Sequence, residues 1–468
     1  MEDTTAVFLT LIIYNAILIG VGIWASRRTS SVEDFFLAGR GLGAWVAAIS
    51  ASASSSSAWT LLGVSGAAFA WGLPALWLFP ATVGGFLLNW YWVAPRLKSL
   101  AASEGAVTLS SVLAPASFAA QRSLVLRVAG IIIVFCFVFY VASQFEAAGK
   151  AFAAVFGLSK NLSILTGSAI VLAYTLLGGF WAVSVTDTVQ GFLMFLAALL
   201  LPIMALIAAG GPADLLAGLQ LRAGQGSPLA GSSLAMVVLF VIGTLGIGIG
   251  YPGQPHVVNR YMALRDARSL QQGRIIAIVW AVIVYAGMLL LGLCARVLYS
   301  ELADNEQVLF YAAEQLLPAV LAGIMLAAVL SAIMSTADSQ LLVAASAISH
   351  DWGLGEGKKH RGLGRSRLTV VIVLLAATAL ALVWRADIFS RVLFAWAALG
   401  SAFGPVLLLR LAGREVSAAS TLGAMLLGFG LTVLLSWLPD TPGDVAERVL
   451  PFMAAALLAW LGSTRSRA

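Results

Sequence analysis

The chain reads as a succession of long apolar stretches separated by short polar joints. No charged residue occurs between Arg40 and Arg96. Further uncharged runs lie between Lys160 and Asp187, Asp187 and Asp214, Arg222 and Arg260, Arg274 and Arg296, Glu314 and Asp338, and Glu415 and Asp440. A helix needs about 20 apolar residues to cross a bilayer core of roughly 30 Å, so the first gap suits two crossings and most others suit one. Strands of a membrane barrel would instead alternate over about ten residues. The pattern predicts spans near 6–25, 42–70, 75–95, 125–152, 161–182, 188–209, 232–254, 274–298, 316–348, 368–385, 389–409, 417–437 and 448–463. The expected fold class is an all-α integral membrane protein of about 13 transmembrane helices.

Composition agrees with this pattern. Apolar residues make up 60% of the chain and charged residues 10%, against about 25% charged in soluble domains. The first apolar stretch lacks the basic start of a signal peptide, because it opens Met1-Glu2-Asp3 and is followed by Arg27-Arg28. It is therefore expected to be a retained span. Cys136 and Cys294 both fall inside predicted spans, so no disulfide framework is implied. The formal net charge of +6 reflects loop placement rather than affinity for nucleic acid, and none is expected as a partner. With the N-terminus outside and the C-terminus inside, most of the 27 Lys and Arg residues fall on inner loops. Acidic clusters such as Glu301, Asp304 and Glu306, or Asp440, Asp444 and Glu447, then face outward. That arrangement satisfies the positive-inside rule.

Two spans have unusual interiors. Span 2 holds the run Ser50-Ala51-Ser52-Ala53-Ser54-Ser55-Ser56-Ser57, and span 7 holds Gly243, Gly246, Gly248, Gly250, Pro252, Gly253 and Pro255. Glycine and proline weaken helices, and serine offers the backbone a competing partner. Non-helical backbone at membrane depth persists only beside protein or a wet cavity. Interrupted helices at matching positions of two halves point to a transporter's central site. Spans 2–6 and 7–11 are therefore expected to form paired five-helix repeats.

Four ordered motifs carry a family resemblance. They are Glu33-Asp34-Phe35-Phe36-Leu37-Ala38-Gly39-Arg40 before span 2, the segment from Tyr174 to Gln190 joining spans 5 and 6, Gly250-Tyr251-Pro252-Gly253-Gln254-Pro255-His256 closing span 7, and Ile333-Met334-Ser335-Thr336-Ala337-Asp338-Ser339-Gln340 in span 9. The chain resembles the sodium:solute symporter family, nearest its bacterial sodium/proline symporters, from Glu33 to about Pro405. The resemblance implies inverted repeats of the leucine-transporter type in a single transporter domain over 1–468, with a core at 41–410 and extra helices at 1–28 and 415–465. It implies a multi-pass protein of a bacterial-type inner membrane that imports a small solute, proline or a related amino acid, with sodium. The partners implied are that solute and the lipid bilayer, with no obligate protein partner.

Sodium takes about five or six oxygen ligands, as hard cations generally do. By resemblance its site comprises the carbonyls of Ala53, Ser56 and Ala332 and the hydroxyls of Ser335 and Thr336. The symporters resembled here carry an aspartate at the position of Ser55, and a hydroxyl cannot offset the ion's charge. Asp338, an intramembrane acid three residues after Ser335, is expected to compensate or to bind a proton. Asp187, placed in the loop after span 5, matches a family acid linked to ion coupling.

The substrate's carboxylate is expected to meet exposed backbone N–H groups at the break, and its body to meet aromatics. Ser57, Trp59, Tyr140, Gln144, Ile247 and Tyr251 are the substrate candidates, with Ile247 standing where the proline symporters have tryptophan. Glu146 and Lys150 are spaced to pair within span 4, and His256 and Arg260 are assigned to an inner gate or to lipid headgroups. No nucleotide-binding loop appears, and three histidines with two scattered cysteines supply no catalytic cluster. The chain is therefore read as a secondary symporter and not an enzyme, with sodium as transported ion rather than cofactor. Proton-coupled symport of another small organic solute, and solute sensing without transport, are the rival readings.

Overall fold

The computed structural model describes residues 2–26, 37–175, 179–222, 227–229, 231–348, 359–384 and 387–465. Arg27, Arg28, the first four residues of the Glu33 motif, Leu176–Gly178 and Lys358 lie outside the described residues. Among the described residues each predicted segment contains helix, and the span numbers serve below only as labels. Among the described residues, eight helical stretches are long and apolar enough to cross a membrane, and Val7–Val21, Lys160–Leu172 and Arg367–Val383 are shorter apolar helices. The chain is thus a multi-pass helical membrane protein.

The same apolar chemistry serves two environments. In span 1, Glu2–Ser26, the helical series Val7, Leu11, Tyr14 and Leu18 is buried against spans 6 and 9. Phe8, Leu9, Ile12, Ile13 and Ile17 of the same helix are exposed, as a lipid-facing stripe requires. Tyr14 hydrogen-bonds Ser331 of span 9 at 2.7 Å, so its one polar atom is satisfied.

Span 2 consists of Ala44–Ala58 and Val64–Trp71 joined by a π turn over Trp59–Gly63. Span 7 consists of Leu234–Ile249 and Pro255–Met262 joined by the 3-10 turn Tyr251–Gly253. Span 9 is one helix, Ala319–Ser346, buried along most of its length. It packs against the first half of span 2, against span 4 (Arg122–Phe156), and against span 6 (Phe180–Ala208). Span 8 (Ala267–Leu298) packs on spans 2 and 6, and its Arg296 caps the carbonyls of Phe69 and Ala70 at the end of span 2. Side-chain caps start several helices, including Asp266 on the Ser269 N–H and Asp387 on the Ser390 N–H. Behind the core, two short strands, Arg414–Val416 and Ser463–Arg465, pair antiparallel and tie the last two helices together.

Small residues set the helix separations, as membrane packing favours. A Cβ on Gly287 of span 8 would stand 2.0 Å from the Ala198 carbonyl oxygen of span 6, so these backbones touch. Gly287→Leu is expected to separate spans 6 and 8 and cost about 2 kcal/mol or more. A melting curve in detergent checks this, and an unchanged midpoint would contradict the close approach.

Candidate functional site

Ser57 breaks span 2. Its φ of 48° with ψ of −176° lies outside the helical region, a strained conformation for a non-glycine residue. The turn redirects two N–H groups, and a side chain accepts from each, although the Trp59 N–H also reaches the Ser56 and Ser57 carbonyls. The Ala58 N–H donates to Gln144 Oε1 at 3.0 Å, and the Trp59 N–H donates to Ser57 Oγ at 3.1 Å. This corrects one expectation: the N–H groups foreseen as open to a substrate carboxylate are already occupied. Tyr140 donates to Ser57 Oγ at 3.4 Å, so Tyr140 and Gln144, one turn apart on span 4, both support the break.

The span 7 break is held by another pair of side chains. Gln254 donates from Nε2 to the carbonyls of Gly250 at 3.1 Å and Trp396 at 2.9 Å. The Trp396 indole N–H donates to the Ile247 carbonyl at 3.0 Å. Trp396 belongs to span 11, Ile388–Leu411. Gly85 of span 3 leaves room for the Tyr251 ring, which a Cβ would meet at 2.2 Å.

The predicted aromatics converge between the two breaks. Tyr251 shares a hydroxyl contact of 3.3 Å with Tyr285, which lies 3.4 Å from Ser56 Oγ and accepts from Thr60 at 3.2 Å. Trp59 stands 6.4 Å from the Tyr285 ring, and Tyr251 packs edge-on to Trp396 at 4.6 Å. Ile247 is buried one helical turn before Tyr251.

Span 9 meets span 2 at Ser54. Thr336 Oγ1 donates to the Ser54 carbonyl at 3.1 Å, and Ser54 Oγ lies 3.1 Å from the Ser335 carbonyl, 3.0 Å from Ser339 Oγ and 3.2 Å from Asp187 Oδ2. Ser335 and Thr336 therefore reach the serine run that holds Ala53 and Ser56. Ser335 itself donates back to the Ala332 carbonyl at 3.3 Å, and Ser55 donates to the Ser52 carbonyl of its own helix at 3.0 Å.

Asp187 is not in a solvated loop. It sits inside the helix Phe180–Ala208 and is fully buried. Its Oδ2 accepts from Ser50 at 2.7 Å and from Arg260 Nη2 at 2.8 Å. Arg260 also donates to Ser50 at 2.7 Å, to Ser339 at 2.6 Å and to the His256 carbonyl. This one guanidinium therefore ties spans 2, 6, 7 and 9 together, rather than reaching for lipid headgroups. Asp338 is fully buried beside this cluster; its Oδ1 accepts from Ser339 at 3.3 Å and its Oδ2 has no partner.

Beyond the Trp59 side lies a cavity of about 680 Å³. The expected Glu146–Lys150 pair does not form there. Lys150 bridges to Asp304 at 2.7 Å and Glu306 at 2.5 Å, while Glu146 pairs with Lys160 at 2.5 Å. Glu306 also accepts from the N–H groups of Ile388 and Phe389 at the start of span 11. Burial of Glu306, in its connecting loop, raises its carboxyl pKa, and Lys150 opposes that shift.

Ser54, Ser50, Ser339, Tyr285 and Trp396 were missed as site residues. The first three had a usable signal, since Ser50 and Ser54, like Ser335 and Ser339, stand one turn apart on one helix face. The buried pair Asp187–Arg260 gives a direct test. Asp187→Leu or Arg260→Leu alone is expected to cost about 3–5 kcal/mol, because each leaves a buried charge unpaired. The double variant is expected to recover much of that loss in thermal unfolding; strictly additive losses would contradict the pairing.

Comparison with known proteins follows the same outline. The sodium:solute symporter family model matches residues 35–428. The osmoregulated proline transporter OpuE of Bacillus subtilis is 35% identical over 92% of this chain and 88% of its own length. The sodium/proline symporter of Escherichia coli is 34% identical over 93% of this chain and 88% of its own. Among solved structures, a substrate-bound, outward-open Na+-coupled sialic acid symporter superposes with a TM-score of 0.80 at 18% identity, covering 98% of this chain and 99% of that one. MhsT in complex with L-phenylalanine gives 0.56 at 13%, covering 90% and 99%. These likenesses identify the fold as that of leucine-transporter-type proteins. By the family match and the curated relatives, the chain belongs to the sodium:solute symporter family.

Proposed function

We propose that this protein is a sodium-coupled symporter that imports proline or a closely related amino acid by alternating access. The observation that carries the reading is the meeting of the two broken spans around Tyr251, Tyr285, Tyr140 and Trp59, with span 9 hydroxyls against the span 2 break. Relatives at about one-third identity over most of their length are named as proline transporters, which supports the substrate class. The protein works as a transporter and not as an enzyme, with sodium as coupled cargo. It forms a single transporter domain whose core runs over 41–410.

The sodium ligands are the carbonyls of Ala53, Ser56 and Ala332 and the hydroxyls of Ser335 and Thr336. On sodium binding, Ser335 gives up its bond to the Ala332 carbonyl and Thr336 turns from Ser54, so the ion replaces contacts that already hold spans 2 and 9 together. Asp338 supplies the negative charge that Ser55 cannot. The substrate lies against Trp59, Tyr140 and Tyr251, lined by Ser57, Gln144 and Ile247.

The distribution of basic residues supports an N-terminus outside and a C-terminus inside. In that orientation the Arg260–Asp187 junction closes the cytoplasmic side, while the cavity beyond Trp59 faces outward. The conformation described is then outward-facing. Breaking the Arg260 bonds to Ser50, Asp187 and Ser339 opens the inner path.

Proton coupling is the one rival favoured by a specific observation, the unpartnered Oδ2 of buried Asp338. Counterflow of labelled proline in proteoliposomes, with and without a sodium gradient at fixed pH, separates the two. The expected result is exchange that needs sodium and is weakened about tenfold or more in Asp338→Asn. Flux that follows a proton gradient without sodium would contradict it. Proline binding without flux would favour a sensor.

A further inference from the structure

His256 opens the second half of span 7 directly after Pro255 and is fully buried. Three aromatic rings meet it in T-shaped contacts: Phe137 at 5.5 Å and Tyr140 at 6.0 Å from span 4, and Trp396 at 6.4 Å from span 11. The imidazole also faces the backbone of Ser54 in span 2, but neither of its nitrogens completes a hydrogen bond. A neutral imidazole carries one N–H donor and one acceptor, and a buried donor without a partner is costly and rare. His256 thus holds an idle donor.

The acceptor that it faces depends on a single side chain. In a continuous helix the Ala58 N–H would donate to the Ser54 carbonyl. At the Ser57 break that N–H donates to Gln144, and Thr336 Oγ1 supplies the Ser54 carbonyl at 3.1 Å. Thr336 is also one of the proposed sodium ligands. When it turns to the ion, the Ser54 carbonyl stays behind in a dry interior, where a backbone acceptor needs a donor. The ring N–H of His256 is the idle donor on that side.

We propose that His256 is a positioning residue for ion coupling, whose imidazole N–H takes over the Ser54 carbonyl when Thr336 leaves it. The exchange draws the second half of span 7 onto the span 2 break. Arg260 lies one turn further along that half and donates to the His256 carbonyl. The same movement therefore shifts the guanidinium that holds Ser50, Asp187 and Ser339. The ring stays neutral throughout, and the exchange takes place at the Ser54 junction itself. The proposal rests on the proposed sodium site, which supplies the reason for Thr336 to move.

The test uses the full chain in lipid nanodiscs, with His350 and His360 replaced by Gln so that His256 is the remaining histidine. The proton of its nitrogen-15-labelled imidazole N–H is followed by NMR, where hydrogen bonding moves it downfield. Two arms release the Ser54 carbonyl by different routes: sodium against choline in this parent chain, and Thr336→Val, which lacks the hydroxyl in either salt. The downfield shift is expected with sodium and not with choline in the parent, and with both salts in Thr336→Val. His256→Phe keeps a packed ring but has no donor, so the sodium needed for half-activation of proline counterflow is expected to rise about tenfold. His256→Gln keeps a donor and is expected to stay within about threefold of the parent. Melting of His256→Phe in choline is expected to match the parent, as a check on packing. Absence of the shift in Thr336→Val would overturn the proposal, as would unchanged sodium activation in His256→Phe or equal losses in the Phe and Gln variants. A shift in Thr336→Val with no response to sodium in the parent would instead overturn the proposed ion site and leave the exchange at Ser54 standing.

Discussion

Inside a bilayer there is no water to receive an orphaned backbone group, so every break in a helix must be answered by a side chain. That constraint organises this molecule. Ser57 turns span 2 out of its helix, and Gln144 with the Ser57 hydroxyl accepts from the redirected N–H groups. The Tyr251–Gly253 turn interrupts span 7, and Gln254 and Trp396 add side-chain bonds to the Gly250 and Ile247 carbonyls that the turn's own N–H groups also reach. Each answering residue comes from, or locks onto, a neighbouring helix. The breaks are therefore also the points where spans 2, 4, 7 and 11 are fixed relative to one another. Loosening one break loosens its neighbours.

The polar junction at Ser54 extends the same logic toward the proposed coupling. Ser54 faces Ser335, Ser339 and Asp187 with one hydroxyl and receives Thr336 with its carbonyl. Arg260 continues the chain from Ser339 and Asp187 to Ser50 and the second half of span 7. The proposed ion ligands and the proposed cytoplasmic closure are thus neighbours in one hydrogen-bonded network. An ion that draws Ser335 and Thr336 away from their present partners changes the contacts available to Ser54, and through it those of Asp187 and Arg260. Coupling between ion and closure then needs no separate relay, because both bias the same bistable contact.

Much of the fold was legible because membrane helices write their limits in charge gaps, and the two broken spans were legible because serine runs and glycine–proline clusters have few other uses at that depth. The site was legible where one residue type carries the meaning, as with Tyr251 or Thr336. It was less so where the meaning lies in what a residue meets. Asp187 looked like a loop acid because its neighbours in sequence are polar, but the helix continues through it and Arg260 arrives from 73 positions away. Glu146 and Lys150 looked like partners by spacing, and each found a better-placed ion on another segment. Ser54 was hidden among equivalent serines, and only the register of span 9 distinguishes it from Ser52, whose hydroxyl makes no hydrogen bond.

That last contrast gives the most direct measurement of the account. Sodium activation of proline counterflow is compared in Ser54→Ala and Ser52→Ala, two isosteric changes two residues apart on one buried helix. Loss of the Ser54 hydroxyl removes several hydrogen bonds at about 1 kcal/mol each, so the sodium needed for half-activation is predicted to rise about tenfold or more. Ser52→Ala is predicted to leave it unchanged. Equal responses in the two variants, or no response in either, would contradict a junction at Ser54 that joins the ion site to closure.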